Sequence, residues 1–155
     1  MRYPLIEIMD TTLRDGEQTS GVSFTRSEKL SIFKLLVEEL HIPRVEVTSA
    51  RVSSGEFDTL KRVCDWAEKN GHIEKVEVLG FVDNGQSAEW VREAGGKVIN
   101  LLCKGSEKHC RGQLKKTPEE HIEDVLKEVN IAVAKGLKVN VYLEDWSNGI
   151  KDKPE

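Results

Sequence analysis

The stretch Asp10-Thr11-Thr12-Leu13-Arg14-Asp15-Gly16-Glu17-Gln18 follows directly on the apolar run Leu5, Ile6, Ile8 and Met9. An apolar run that gives way to a charged, glycine-containing loop reads as a strand ending at the carboxyl edge of a sheet, where α/β enzymes place their chemistry. Asp15 offers a hard carboxylate oxygen suited to a divalent cation, and Arg14 a rigid, permanently charged fork suited to a carbonyl oxygen or a carboxylate. On these residues alone, an exposed ion pair between neighbours fits equally well.

Further along, short apolar and β-branched runs recur at Val45 to Thr48, Val76 to Val82, Val98 to Leu102 and Leu137 to Leu143, each of a length suited to a buried strand. Helical spacing fills the gaps. Thr25-Arg26-Ser27-Glu28 opens a helix whose Leu30, Phe33, Leu36, Val37 and Leu40 recur at three and four residues, with Pro43 after its end. Phe57, Leu60, Val63, Cys64 and Ala67 mark a second helix, stopped near Asn70-Gly71, and a shorter third runs from about Ser87 to Ala94 before Gly95-Gly96. Thr117-Pro118-Glu119-Glu120 starts the fourth with a cap, a first-turn proline and a capping-box glutamate; its apolar stripe is Ile122, Val125, Leu126, Val129, Ala132 and Val133, and Gly136 ends it. Five strands alternating with four helices predict right-handed βαβ units and a parallel sheet, with no linker or internal boundary over 1–155. An open doubly wound sheet is complete at this length, whereas a (β/α)₈ barrel typically takes about 250 residues.

Composition narrows the function classes. With 38% hydrophobic and 32% charged residues and a net charge of −4, acidic and basic residues interspersed, the chain carries no electrostatic footprint for nucleic acid. No apolar stretch approaches the ~18 residues of a membrane span, and the amino-terminal run is interrupted by Glu7, so the expectation is a cytoplasmic protein. Cys64, Cys103 and Cys110 are too few and too scattered for a disulfide framework. Cys103, His109 and Cys110 match no usual zinc spacing, and the two cysteines read as ordinary thiols.

The opening motif resembles the signature of the DRE-TIM metallolyases, the family of the 2-isopropylmalate, homocitrate and citramalate synthases and their lyase relatives. Further matching segments are 19–24, 45–53, 79–83, Asn100-Leu101-Leu102-Cys103-Lys104-Gly105-Ser106 and Val141-Tyr142-Leu143-Glu144-Asp145-Trp146-Ser147-Asn148-Gly149, the last two most similar to the citramalate synthase branch. The resemblance implies a TIM (β/α)₈ barrel, of which 1–155 would be the amino-terminal half: its first five strands and four helices. A barrel cut there has uncovered strand edges, so such a fragment is expected to be poorly stable alone or to associate through them.

What the resemblance implies chemically is a Claisen-type condensation. The methyl group of acetyl-CoA loses a proton, the enolate attacks the ketone of a 2-oxo acid, and hydrolysis releases CoA. Asp15 matches the family's metal-binding aspartate (Mn²⁺, Mg²⁺ or Zn²⁺), Arg14 the cation that supports the developing alkoxide, and Glu144 the acid–base glutamate. Tyr142 shares a strand face with Glu144 and matches the tyrosine of the pyruvate pocket; Leu79 and Leu102 match leucines that keep that pocket small, and Gln18 is placed beside the site. The family's His-x-His ligand pair is absent: His41, His72, His109 and His121 read as surface or capping groups. Lys104, Lys108, Arg111, Lys115 and Lys116, against Glu107 alone, suit either the CoA phosphates or a solvated loop. The product implied is citramalate from pyruvate, with the 2-oxoisovalerate reaction of 2-isopropylmalate synthase, a lyase of the superfamily and a non-catalytic α/β module as alternatives. A homodimer is the expected assembly, with small-molecule substrates and neither nucleic acid nor membrane as partners.

Overall fold

The switch between the two hydrophobic periods becomes a switch between strands and helices in the computed structural model, which describes residues 6–154. In chain order the elements are β1 (Met9–Asp10), α1 (Arg26–Lys34), β2 (Arg44–Ser49), α2 (Ser54–Lys69), β3 (Val76–Phe81), α3 (Gln86–Glu93), β4 (Val98–Lys104), α4 (Glu107–His109), α5 (Pro118–Ala134), β5 (Lys138–Glu144) and α6 (Trp146–Asp152). The local chemistry starts the helices as expected. Thr25 with Glu28, and Thr117 with Glu120, form reciprocal capping boxes on α1 and α5, Pro118 stands in the first turn of α5, and Ser53 caps α2.

All neighbouring strands pair in parallel, in the order β1-β2-β3-β4-β5. That order distinguishes the two architectures open to the sequence. Right-handed crossovers that always advance in one direction place every helix on the same side, whereas a doubly wound sheet must reverse direction. In a flat sheet β1 and β5 would stand about 19 Å apart, yet the Tyr142 hydroxyl of β5 donates to Met9 Sδ of β1 at 2.9 Å. The sheet is therefore curled into a half-barrel, concave on the side away from the helices.

The outer face of the sheet is apolar. Val45, Val47, Val76, Val78, Ile99 and Leu101 are fully buried against Phe33 and Val37 of the first helical segment, Leu60, Val63 and Ala67 of α2, and Ala88 and Val91 of α3. At Gly80 a side chain would run into Ile99, so glycine lets this layer close. Across one residue of β2 the alternation breaks: Glu46 pairs with Glu77 but Thr48 with Val78, leaving Val47 as a bulge. Val47 and Thr48 consequently both face the helices, while Ser49 joins Leu79 on the concave side.

The structure departs from the sequence reading in four places. The first strand covers Met9–Asp10 rather than Leu5 to Met9; Leu5 lies outside the described residues, and with β2 as its one neighbour among the described residues the run pairs over two residues. Two helices were not anticipated. α4 has three residues before it widens into the π turn Cys110–Leu114, too short to carry a period, and α6 contains Asn148 and Gly149 in place of an apolar stripe. Gly149 is required there, because a Cβ would collide with the backbone of Gly105. On α5, Val125, Val129 and Ala132 reach the core, but Ile122, Leu126 and Val133 are more than half exposed beside Val141 and Leu143 of β5. This flank lies past the last strand, where no described element covers it.

The three cysteines are free and buried, and among the described residues no group of three or more His, Cys, Asp or Glu side chains is placed to hold a metal. Burial pushes the Cys64 thiol up to about 12 and that of Cys103 to about 11. Since the thiolate is the reactive form, the folded protein should resist iodoacetamide at mildly alkaline pH and take up three equivalents after denaturation in guanidinium, as counted by intact-mass spectrometry.

Candidate active site

At the carboxyl end of β1 the loop is wound tightly around one carbonyl. Thr11 O accepts from the amides of Arg14, Asp15 and Gly16 at 3.1, 2.8 and 3.1 Å, and the Asp10 carboxylate holds the Thr12 amide at 2.9 Å. Leu13, fully buried, anchors the loop in the core. With Leu13 turned inward and the backbone fixed, Arg14 projects onto the concave face and Asp15 toward solvent.

Arg14 lies between two carboxylates: its Nε donates to Glu46 Oε2 at 2.5 Å and its Nη1 to Asp15 Oδ1 at 2.8 Å. Glu46, on β2, is completely buried. Its second oxygen accepts from Asn100 Nδ2 of β4 at 2.8 Å, and Asn100 Oδ1 accepts from Asn140 Nδ2 of β5 at 2.8 Å. Beside Glu46 in register, Glu77 of β3 takes both arms of Arg44, at 2.6 and 2.9 Å, and its Oε2 accepts from Asn140 Nδ2 at 3.4 Å. Polar side chains from successive strands thus form one network across the concave face. A buried carboxylate is tolerated where a cation and further donors satisfy it, and Arg14 and Asn100 fill those roles for Glu46.

Asp15 and Arg14 touch, and Arg14 and Gln18 border a common cleft of about 300 Å³ with Leu13, Glu17, Thr48 and Glu56. Strand register sets Leu102 beside Tyr142, and Leu79 one row lower beside Asn100. Leu79 is buried and Leu102 half-buried on the concave side. Burial, with the nearby Glu46 and Glu77 carboxylates, pushes the Tyr142 phenol well above its usual range, so it serves as a hydrogen-bond donor. Glu144 follows two residues on, opposite Lys104, whose ammonium it pairs with; the amide of Gly105 donates to its carbonyl at 2.7 Å. Among the described residues no hydrogen bond or ion pair joins Glu144 to Arg14 or Asp15.

As a metal ligand Asp15 is accessible, its side chain 60% exposed, with one oxygen engaged by Arg14. One carboxylate does not make a metal centre, and residues 6–154 supply no complete ligand set.

One expectation about charged groups requires correction. His121 is not a surface group: it is buried, and its Nε2 accepts from the Lys104 amide at 2.9 Å. His72 stacks on Trp66, and His109 is half-buried with Nε2 3.6 Å from Asp145; His41 is exposed, at the end of the first helical segment. The basic run is solvated, with Lys108, Arg111, Lys115 and Lys116 exposed, and most of its charges are paired. Lys104 pairs with Glu144, Arg111 with Glu107 and Lys116 with Asp124, while Lys115 Nζ donates to the Gly112 carbonyl. Lys108 alone of the five has neither an ion pair nor a side-chain hydrogen bond among the described residues. The carboxylates that the sequence places 8 and 40 residues from their lysines arrive through the fold.

The residues missed by the sequence reading are Glu46, Glu77, Asn100 and Asn140. Their signal was present as Val45-Glu46-Val47, Val76-Glu77-Val78, Ile99-Asn100-Leu101 and Val139-Asn140-Val141. Each is one polar residue between apolar neighbours, the mark of a strand with two unlike faces.

Comparison with known proteins gives the family and the fold. The model of the HMGL-like family matches residues 5–152. A curated (R)-citramalate synthase of Methanocaldococcus jannaschii is 37% identical over 91% of this chain, and a probable 2-isopropylmalate synthase of Ignicoccus hospitalis is 31% identical over 90%. The chain spans 28% and 34% of their respective lengths. Among solved structures, an HMG-CoA lyase of Bacillus subtilis superposes with a TM-score of 0.64 at 23% identity, covering 92% of this chain and 48% of that one, a likeness of fold.

Removing the Glu46 carboxylate leaves Asn100 and one arm of Arg14 buried without their acceptor. Glu46→Ala should cost about 3 kcal/mol in chemical denaturation, whereas truncating the exposed Lys61–Asp65 pair should cost less than about 0.5 kcal/mol. His121 gives a pH signature. Burial lowers its pKa below the ordinary 6.5, so its contribution to stability is complete above 6.5 and is lost as the pH falls through the folded value. The thermal unfolding midpoint should therefore fall on acidification below 6.5, with a shallower dependence in His121→Gln.

Proposed function

The chain belongs to the HMGL-like family, and we propose that within it these residues form part of a synthase that condenses acetyl-CoA with pyruvate, giving citramalate and CoA. The single observation that carries the reading is Arg14, held at the carboxyl end of β1 between buried Glu46 and exposed Asp15. A guanidinium fixed on one side by a buried carboxylate is aimed before substrate arrives, and preorganised charge of this kind is what stabilises a developing oxyanion.

In the proposed reaction Glu144 accepts a proton from the acetyl methyl group, assisted in its placement by Lys104. The enolate carbon then bonds to C2 of the 2-oxo acid, whose carbonyl π electrons move to oxygen. Arg14 donates to that alkoxide, which takes up the proton first removed by Glu144 and becomes the hydroxyl of the product. Water cleaves the thioester, giving a carboxylate, the CoA thiol and one proton released to solvent. Asp15 is proposed as one ligand of a divalent cation, which would lend Lewis acidity to the 2-oxo acid when bound. Tyr142 donates a hydrogen bond at the pocket wall, and Leu79 and Leu102 restrict its size. Gln18 borders the same cleft as Arg14.

The 31% identity to a probable 2-isopropylmalate synthase supports a second reading, in which 2-oxoisovalerate replaces pyruvate. The two acids differ by the bulk that Leu79, Leu102 and Tyr142 would admit, and hydrophobic pockets discriminate such differences by about 1–3 kcal/mol.

The test is CoA thiol release by the full-length protein with acetyl-CoA and a divalent metal, comparing the two acids. Faster turnover with pyruvate is expected; preference for 2-oxoisovalerate would reassign the substrate, and release with neither would overturn the condensation. Arg14→Lys, which loses the fork, and Asp15→Asn should each lower kcat/KM by about 10²-fold or more, with far-ultraviolet circular dichroism unchanged.

A further inference from the structure

Lys29 of α1 is 1% exposed, a depth at which an ammonium persists when it is paired. Its Nζ lies 2.6 Å from Glu17 Oε2 and donates to Glu56 Oε2 at 2.8 Å. Each carboxylate does further work. Glu17 Oε1 accepts from the Phe24 amide at 2.9 Å, and Glu56 Oε2 accepts from the Thr48 hydroxyl at 2.5 Å. Four segments therefore converge on one buried ammonium: the loop after β1, the first helix, the end of β2 and the start of α2. Thr48 reaches this point because the bulge at Val47 turns it to the helical side.

The loop needs such a hold. Its first half is fixed by Leu13 in the core and by Arg14 on Glu46. Beyond Asp15 the backbone hydrogen bonds of residues 16–22 are local, and residues 19–23 are exposed. Among the described residues, the Glu17–Lys29 pair is the one hydrogen bond or ion pair that ties a side chain of residues 16–23 to another element. Glu17, Gln18, Thr48 and Glu56 line the cleft that Arg14 borders, so this hold acts on the cleft wall.

We propose that Lys29 is a positioning residue. Its ammonium clamps Glu17 to Glu56 and so fixes the loop bearing Arg14, Asp15 and Gln18 in the geometry with which Arg14 meets a 2-oxo acid. The link to catalysis rests on the assignment of Arg14 made above, and the hold on the loop does not. Val63 of α2 is buried in the same core but its apolar side chain offers the loop no hydrogen bond or ion pair.

Hydrogen exchange followed by mass spectrometry, with steady-state kinetics, separates the two roles in the full-length protein. Lys29→Met and Val63→Ala are compared at a temperature where both remain folded. Lys29→Met should accelerate exchange across residues 13–24 by at least about tenfold, leave β3 and β4 at the wild-type rate, and lower kcat/KM for pyruvate about tenfold. Val63→Ala should change neither the loop nor kcat/KM. If Lys29→Met does not fold, Lys29→Met with Glu17→Gln and Glu56→Gln removes the buried charges together and should show the same faster loop exchange. Wild-type exchange in the loop, or the same changes in Val63→Ala, would overturn the proposal. A wild-type protein that releases no CoA with either acid overturns the functional reading instead, while the exchange comparison still decides whether Lys29 holds the loop.

Discussion

The hydrogen bond from Arg14 to the buried carboxylate of Glu46 is the constraint on which the arrangement turns. Neither group is stable on the concave face alone: the carboxylate needs a cation, and the guanidinium needs an acceptor that fixes its plane. Because Glu46 also takes Asn100, and Asn100 takes Asn140, orienting Arg14 links the polar side chains of β2, β4 and β5. The loop after β1 is thus referenced to the far side of the sheet, not only to its neighbouring strand.

This explains why the two faces of the sheet differ so sharply. The helical side excludes water with β-branched residues and holds its shape by packing, so a substitution there is felt mainly through volume. On the concave side shape comes from matched donors and acceptors, where removing one partner leaves another unsatisfied. Tyr142 belongs to both regimes, its ring half-buried and its hydroxyl on Met9.

Much of the fold was legible because its signals are local. Capping boxes at Thr25 and Thr117, glycines after helices and short β-branched runs each act within a few residues, and the helices they predict are present. Arg14, Asp15 and Glu144 were singled out through a long motif. What escaped depends on residues far apart in the chain. The burial of His121 follows from the Lys104 amide 17 residues earlier, the pairing of Lys104 with Glu144 spans 40 residues, and the Glu46–Asn100 bond spans 54. The polar residue at the centre of each Val-Glu-Val or Val-Asn-Val triplet was masked by its apolar neighbours, although strict alternation would have disclosed it. The bulge at Val47 left no mark of composition at all.

The strand order has a consequence for how the protein is made. Each strand pairs with the one synthesised before it, and the longest separation between register partners, shared by every pair of β4 and β5 such as Val98 and Lys138, is 40 residues. Loop-closure entropy grows slowly with length, so every new strand joins an existing edge at a similar cost. A chain leaving the ribosome amino terminus first can therefore grow this sheet one βα unit at a time. The Tyr142–Met9 contact, across 133 residues, must wait for β5 and then holds the ribbon as a curved wall.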